Sequence, residues 1–214
     1  MDLICHGVPS PSVWKHYISY RSRLDAGNQK PVRINLRSKE TGWPKYSIRF
    51  DYPGDRFYTA LNSRDPYLRG FVQNLYLRPS CYRCLFKGRV RQSDFTLGDY
   101  WGVWEQMPEY HDEKGTSLVV LHTSKAKKLW SEIANQVRFC ETDLTLALTD
   151  NPSALISSDE PEARKQFFAR YQEEDFQTLI AELCPQPSVP AKASLLKRVV
   201  RKLRRMIRGI LPPK

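Results

Sequence analysis

The hydrophobic period changes several times along the chain, and each change predicts an element. Leu3 and Ile4 lead straight into Cys5, His6 and Gly7 with no polar turn between, which predicts a short buried strand over DLIC ending at a site. From Ser10 to Gly27 the period is helical. Val13, Trp14, Tyr17, Ile18, Arg21 and Leu24 share a face, Ser10 is placed to cap, Pro11 to open and Gly27 to close. The period then falls to two, with Val32, Ile34 and Leu36 alternating, then Tyr46, Ile48 and Phe50, and a Pro-Gly-Asp turn at 53–55 leads into Arg-Phe-Tyr-Thr-Ala, the pattern of an antiparallel meander.

Asp65 and Pro66 open a second helix, expected to run to about Leu77, with Pro79 ending it before a loop that carries Cys81 and Cys84. Beyond that loop the pattern predicts a strand over 94–99, an extended polar loop over 104–115, a buried strand over 116–123, and a helix from Ser124 to about Val137. Cys140 is placed near the end of a strand, one or two further helices follow over 150–183, and a proline-rich linker occupies 184–190. The expected class is α+β, a mixed or antiparallel sheet with flanking helices, plus a C-terminal amphipathic helix. The expected organisation is one domain over 1–183, the linker, and a basic tail over 191–214.

Composition narrows the function classes. No apolar run reaches the roughly 18 residues that span a bilayer, and the N-terminal residues lack the basic, apolar and small-residue regions of a signal peptide. A cytoplasmic location is the expectation, and there a CxxC pair reads as metal-binding or redox-active rather than as part of a disulfide framework. The formal charge is +11, but residues 191–214 hold nine cations and no acid, so the body, with 25 basic and 23 acidic residues, is close to neutral. The tail places leucine, valine, isoleucine and methionine at three- and four-residue steps opposite arginine and lysine, the pattern of a helix lying on an anionic membrane surface. A protein-binding or merely solvated helix is the alternative. Nucleic acid is not an expected partner, since the body is neutral and no helix-turn-helix or zinc-finger spacing is present.

The candidate chemistry centres on Cys81 and Cys84, which lie among Arg78, Arg83, Lys87, Arg89 and Arg91. A thioredoxin-like pair would precede a helix, whereas this one follows a helix. Structural zinc would need four ligands, drawn from Cys81, Cys84, Cys5 and a histidine such as His6 or His111. Spacing alone leaves zinc and an iron–sulfur cluster level. The five cations would lower thiolate pKa values and offset a cluster's negative charge, or simply form a solvated face.

Four blocks in order, DLICHGVPSPSVW at 2–14, NLYLRPSCYRCLFKG at 74–88, RQSDFTLGDYWG at 91–102 and KGTSLVVLHT at 114–123, resemble the C-terminal domain of the coenzyme F-420 hydrogenase/dehydrogenase beta-subunit family. The resemblance covers roughly residues 1–145 and fades through 185. It implies an iron–sulfur flavoprotein that passes electrons between a 4Fe-4S cluster, FAD and an organic two-electron acceptor such as a deazaflavin. It also implies Cys5, Cys81 and Cys84 as cluster ligands. The family's remaining cysteine lies in an upstream GTPCQ-type loop, preceded by a ferredoxin-like segment, and neither is found in this chain. An electron-donor protein or that N-terminal segment is therefore an expected partner. Gly98, Asp99, Lys114 and Ser117 are candidate cofactor contacts, although tight glycine turns also occur for structural reasons, and there is no GxGxxG phosphate cradle. His6 is a further candidate, as a ligand's neighbour that orients substrate or supports the site. Cys140 and Cys184 are not expected to be ligands. Two other classes stay open: a non-catalytic split domain acting as a binding subunit, some relatives belonging to polysaccharide biosynthesis, and a zinc-stabilised nucleic-acid module.

Overall fold

The computed structural model describes residues 1–185. They form an α+β fold with two small three-stranded sheets. The first sheet joins β1 (Asp2–Leu3), β5 (Phe95–Asp99) and β6 (Ser117–Leu121), with β1 parallel to β5 and β5 antiparallel to β6. The second is the expected meander of β2 (Arg33–Ser38), β3 (Ser47–Asp51) and β4 (Phe57–Leu61). Around them lie α1 (Pro11–Ala26), α2 (Pro66–Val72), α3 (Val103–Gln106), α4 (Ser124–Ile133), α5 (Leu144–Ala147), α6 (Arg164–Arg170) and α7 (Phe176–Leu183).

Helix α1 begins and ends where the sequence says, at Pro11 and before Gly27, which takes the left-handed conformation. Its buried stripe is Val13, Tyr17 and Tyr20, while Leu24, expected inside, is exposed. The Ser10 hydroxyl bonds Ser12 instead of capping the helix. Tyr17 stacks on Tyr67 at 5.1 Å and packs against Phe176 of α7 at the same distance, so α1, α2 and α7 share one aromatic core with Ile48 and Phe50 of β3. A second core gathers Trp43, Tyr100, Val103, Leu118, Ala147 and Leu148 beside the first sheet.

Five local expectations are corrected. Strand β1 is not buried. It is a two-residue edge strand paired only with β5, and Leu3 is 63% exposed. Helix α2 stops at Val72 rather than Leu77, because Asn74 turns left-handed at φ 65° and Leu75 to Leu77 dive into the core, Leu77 pairing with Pro9. Residues 104–115 are not an extended polar loop. Trp43, fully buried, stacks on Trp101 at 5.1 Å and meets Trp104 edge-on at 5.7 Å, and that aromatic cluster folds the segment into α3 and a 3-10 turn at Pro108–Tyr110. No strand precedes Cys140. Cys184, expected in the linker, closes α7 through its amide and is buried in the first core. The rest of the linker beyond Pro185 and the basic amphipathic tail lie outside the described residues.

Asp65 organises this architecture. It is completely buried, caps α2 by accepting from the Leu68 amide at 2.8 Å, and accepts from the hydroxyls of Tyr17 on α1 at 2.5 Å and Tyr58 on β4 at 2.9 Å. Burial raises its pKa above the usual carboxylate value, against the pull of those three donors. A carboxyl whose folded pKa is raised favours the fold while protonated, so its contribution falls as pH rises from the unfolded pKa toward the folded one. Asp65→Ala is expected to cost at least about 3 kcal/mol, since it strands two buried hydroxyls and removes a cap. Asp65→Asn is expected to cost less, with a deficit relative to the parent that is larger at pH below 4 than at pH 7. Denaturant titration at the two pH values checks both, and a pH-independent deficit would count against a raised pKa.

Candidate functional site

Three chain segments meet at the cysteines, and main-chain hydrogen bonds register them. The Ser10 amide donates to Tyr76 O at 2.7 Å and the Arg78 amide to Val8 O at 2.8 Å, so the CHG segment lies along the end of the Leu75–Arg78 stretch. Cys81 sits inside a 3-10 turn, Pro79–Arg83, and Cys84 follows directly after it. That turn is held by Tyr82, whose hydroxyl donates to Asn74 O at 2.6 Å, accepts from Arg164 at 2.8 Å and lies under its guanidinium. The Val8 amide points at Cys81 Sγ, 3.2 Å away.

The third segment, residues 153–158, was not anticipated as part of the site. Ser157 Oγ accepts from the Cys84 amide at 2.9 Å, and Ser158 Oγ donates to His6 O at 2.9 Å, so adjacent serines brace both cysteine-bearing segments. Lys87 completes the lattice by donating to Cys5 O and to Ser153 O. Its pKa is lowered, chiefly by burial, against the fields of Cys5, Cys84 and, more weakly, Cys81. Arg91 is likewise turned inward, to Phe86 O at 2.5 Å, Gly88 O at 3.0 Å and Ala154 O at 2.8 Å, with Asp2 at 3.4 Å. Arg78, Arg83 and Arg89 remain exposed. The expected ring of five cations therefore divides into two structural braces and three surface charges.

Cys5 is exposed, and Cys81 and Cys84 are half-buried. Among the described residues no group of three or more His, Cys, Asp or Glu side chains is arranged to hold a metal ion. The segments that carry the thiols are tied together through Lys87, Ser157 and the Val8 amide, without a preformed cage. His6 is next to them in sequence, but its ring turns away to Phe71, with Nε2 3.2 Å from Phe71 O and the rings edge-on at 5.1 Å. Burial lowers its pKa below the usual histidine value, which keeps it neutral. His111 lies in the tryptophan cluster, 6.4 Å from Trp43 and 3.4 Å from Glu113.

The remaining candidates do not converge as a set. Gly98 and Asp99 on β5 face Leu118 and Ser117 on β6 in register. A β-carbon at Gly98 would come within 2.7 Å of Ile4, so this glycine lets β1 close on β5. Asp99 pairs with Arg37 at 2.8 Å. Lys114 lends its carbonyl to Lys39. Ser117 lines a cavity of about 370 Å³ between β6, α4 and the irregular segment 138–142, with Tyr100, Tyr110, Arg138 and Cys140 among its walls. A much smaller hollow, lined by Ile4, Gly88 and Ala154 near the cysteine loop, shares Val120 and Leu144 with this cavity. One layer of side chains therefore separates the two.

A family model for the C terminus of the coenzyme F420 hydrogenase/dehydrogenase beta subunit matches residues 1–145. The chain belongs to that family. No curated protein and no solved structure matches it. The beta-subunit match ends before Ser153, Ser157 and Ser158, so the braces on the cysteine segments come from sequence beyond the family region. The family supports an oxidoreductase region that works as a subunit of a larger enzyme.

Lys87→Met tests the lattice, because it deletes two hydrogen bonds from a charged donor, each worth about 1.5–3 kcal/mol locally. Amide exchange at Gly88, whose N–H bonds Ala154 O at 3.1 Å, is expected to accelerate by about ten-fold or more while global melting barely moves. Unchanged exchange at residues 84–91 would show that the lysine does not hold the loop.

Proposed function

We propose that this chain is the cluster-binding part of an iron–sulfur flavin oxidoreductase, with Cys5, Cys81 and Cys84 as cluster ligands and the fourth ligand supplied from outside the described residues. The observation that carries the reading is the hydrogen-bond lattice that joins the three cysteine positions: Lys87 donates to Cys5 O and Ser153 O, Ser157 Oγ accepts from the Cys84 amide, and the Val8 amide points at Cys81 Sγ. The donor set suits the group: soft sulfur ligands, a main-chain amide aimed at one of them, and a cation offsetting their charge. When bound, such a cluster exchanges single electrons and a flavin exchanges one or two.

The chain's own contribution is to hold and to screen. The serine and lysine braces fix the spacing between the Cys5 and Cys84 backbones. The cavity of about 370 Å³ suits a conjugated ring but not a whole dinucleotide, so FAD or the organic acceptor is assigned to it by its ring alone. Gly98 and Asp99, already engaged by Ile4 and Arg37, supply no phosphate cradle. Trp130 and Phe139 meet edge-on at 5.3 Å and form one wall of it. The phenols of Tyr100 and Tyr110 both have raised pKa values, Tyr100 chiefly from burial and Tyr110 chiefly from its hydrogen bond with Cys140. Their hydroxyls are engaged with Gln106 and Thr142 and with Phe139 O, so a ring in the cavity would meet them as partners held by the wall.

Anaerobic reconstitution with iron and sulfide is the test. The parent chain is expected to take up iron in a labile, substoichiometric form with broad visible absorption. Cys5→Ser, Cys81→Ser and Cys84→Ser are expected to abolish uptake, and Cys140→Ser to leave it intact. Tight binding of one colourless zinc with no iron uptake would replace this reading with a structural-metal one.

Among the described residues no helix is long and apolar enough to cross a membrane. The basic tail supports a peripheral location at an anionic cytoplasmic surface. Deleting residues 191–214 is expected to release the chain from anionic vesicles at low salt, and equal sedimentation of the deletion variant would remove the membrane proposal.

A further inference from the structure

The loop between Cys84 and Arg91 displays its apolar side chains outward. Leu85 is 93% exposed, Phe86 79% and Val90 92%, and Ile156, from the serine segment beside it, is 63% exposed. Single exposed leucines are ordinary on a protein surface, but three in six residues, with a fourth from a separate segment, make a patch. The loop is not free to tuck these side chains in. Arg91 grips the carbonyls of Phe86 and Gly88, Lys87 grips Cys5 O and Ser153 O, and the Gly88 amide is bonded to Ala154 O. Two cations that would ordinarily be solvated are spent on holding an apolar surface open.

Residues 78–91 contain five cations and no acid. Of the two braces, Arg91 pairs with Asp2 and Lys87 is solvated by the carbonyls of Cys5 and Ser153. Arg78, Arg83 and Arg89 are exposed and make no ion pair among the described residues. The outward cations are all arginine, the fork that pairs carboxylates two-handed and is enriched at protein interfaces where lysine is depleted.

We infer that this loop is the docking surface for a second protein, one that presents an apolar patch flanked by carboxylates and closes over the rim that carries Cys5 and Cys84. The chain's own residues 191–214, nine cations and no acid, have the wrong sign to cover it. An anionic lipid surface is the rival occupant, but the loop's irregular backbone, with few internal main-chain hydrogen bonds, is better matched by a protein that covers it, and lipid-only adducts in the test below decide against such a partner. A protein partner answers the apolar side chains and the backbone, and its acidic rim answers the arginines. The surface is defined by the loop alone and stands whether or not the thiols hold iron, so iron uptake and docking succeed or fail separately.

The test is photo-crosslinking of the full chain in the cells that make it, with p-benzoylphenylalanine replacing Phe86 or Val90, and Phe57 on β4 as the control position. One discrete protein adduct is expected from positions 86 and 90 and none from 57. The adduct protein, identified and purified, is expected to carry an acidic surface and to bind the parent chain with an affinity that falls as salt rises. Phe86→Asp, and Arg83→Glu with Arg89→Glu, are each expected to weaken that binding about ten-fold or more, as central apolar anchors and paired rim charges do. Thermal unfolding of both variants is expected to match the parent, since these side chains are already in water. Adducts to lipid alone, equal adducts from position 57, no adduct, or a purified partner indifferent to salt and to both variants would overturn the docking surface.

Discussion

The buried carboxylate of Asp65 is the interaction from which the rest of the cysteine site is built. It joins a helix from the first thirty residues to a strand of the meander, and at the same point fixes the first turn of α2. Burying an ionisable group is costly unless it is hydrogen-bonded, and three donors meet that cost here. Because α2 has one possible start, its end is fixed as well. Gly70 lies under Tyr76 and Ile180 with no room for a β-carbon, Asn74 turns the chain, and Leu75 to Leu77 run inward to meet Pro9. The CxxC turn emerges from that stretch already aligned with Val8. An aromatic cage and one carboxylate, none of them part of the cysteine loop, therefore decide where Cys81 and Cys84 go.

Cations serve the fold in ways that a formal charge of +11 conceals. Arg21 lies 3.3 Å over the ring of Tyr58 and pairs with Asp25, Arg164 pins Tyr82, and Lys87 and Arg91 cross-link the cysteine loop through carbonyl groups. Long side chains that bury their stems and spend their donors on the main chain act as tie-rods in a region with almost no regular structure. That is how residues 84–93, with neither helix nor strand, hold a defined shape.

Much of this was legible from local pattern. Helix α1 and the three strands of the meander were readable because period, cap and turn residues agreed with one another. The CHG and CxxC blocks read as one site, and main-chain hydrogen bonds of Ser10 and Arg78 lay the two segments side by side. What was not legible depends on distant partners. The apolar run from Tyr67 to Leu77 reads as one helix, and only the pairing of Leu77 with Pro9 shows why it breaks. The polar letters of 104–115 hide the contacts that Trp43, from the loop between β2 and β3, makes with Trp104 and His111. Ser157 and Ser158 look like any loop serines until their partners, Cys84 and His6, are known.

The parallel pairing of β1 with β5 has a kinetic side. Asp2 opposes Thr96, and Val8 reaches Cys81 across 73 residues of chain, so the contacts that unite the thiols are among the least local in the fold. Contacts of that range form after the loop they close has lost its freedom, which places them late in folding. Helix α1, the meander and α2 are able to assemble first without them. A ligand bridging Cys5 to the CxxC turn would then act as a staple across that loop, worth about 4 kcal/mol by the same chain-entropy reasoning applied to disulfides. The segment beginning at Met1 would be the last to dock and, once bridged, among the hardest to release.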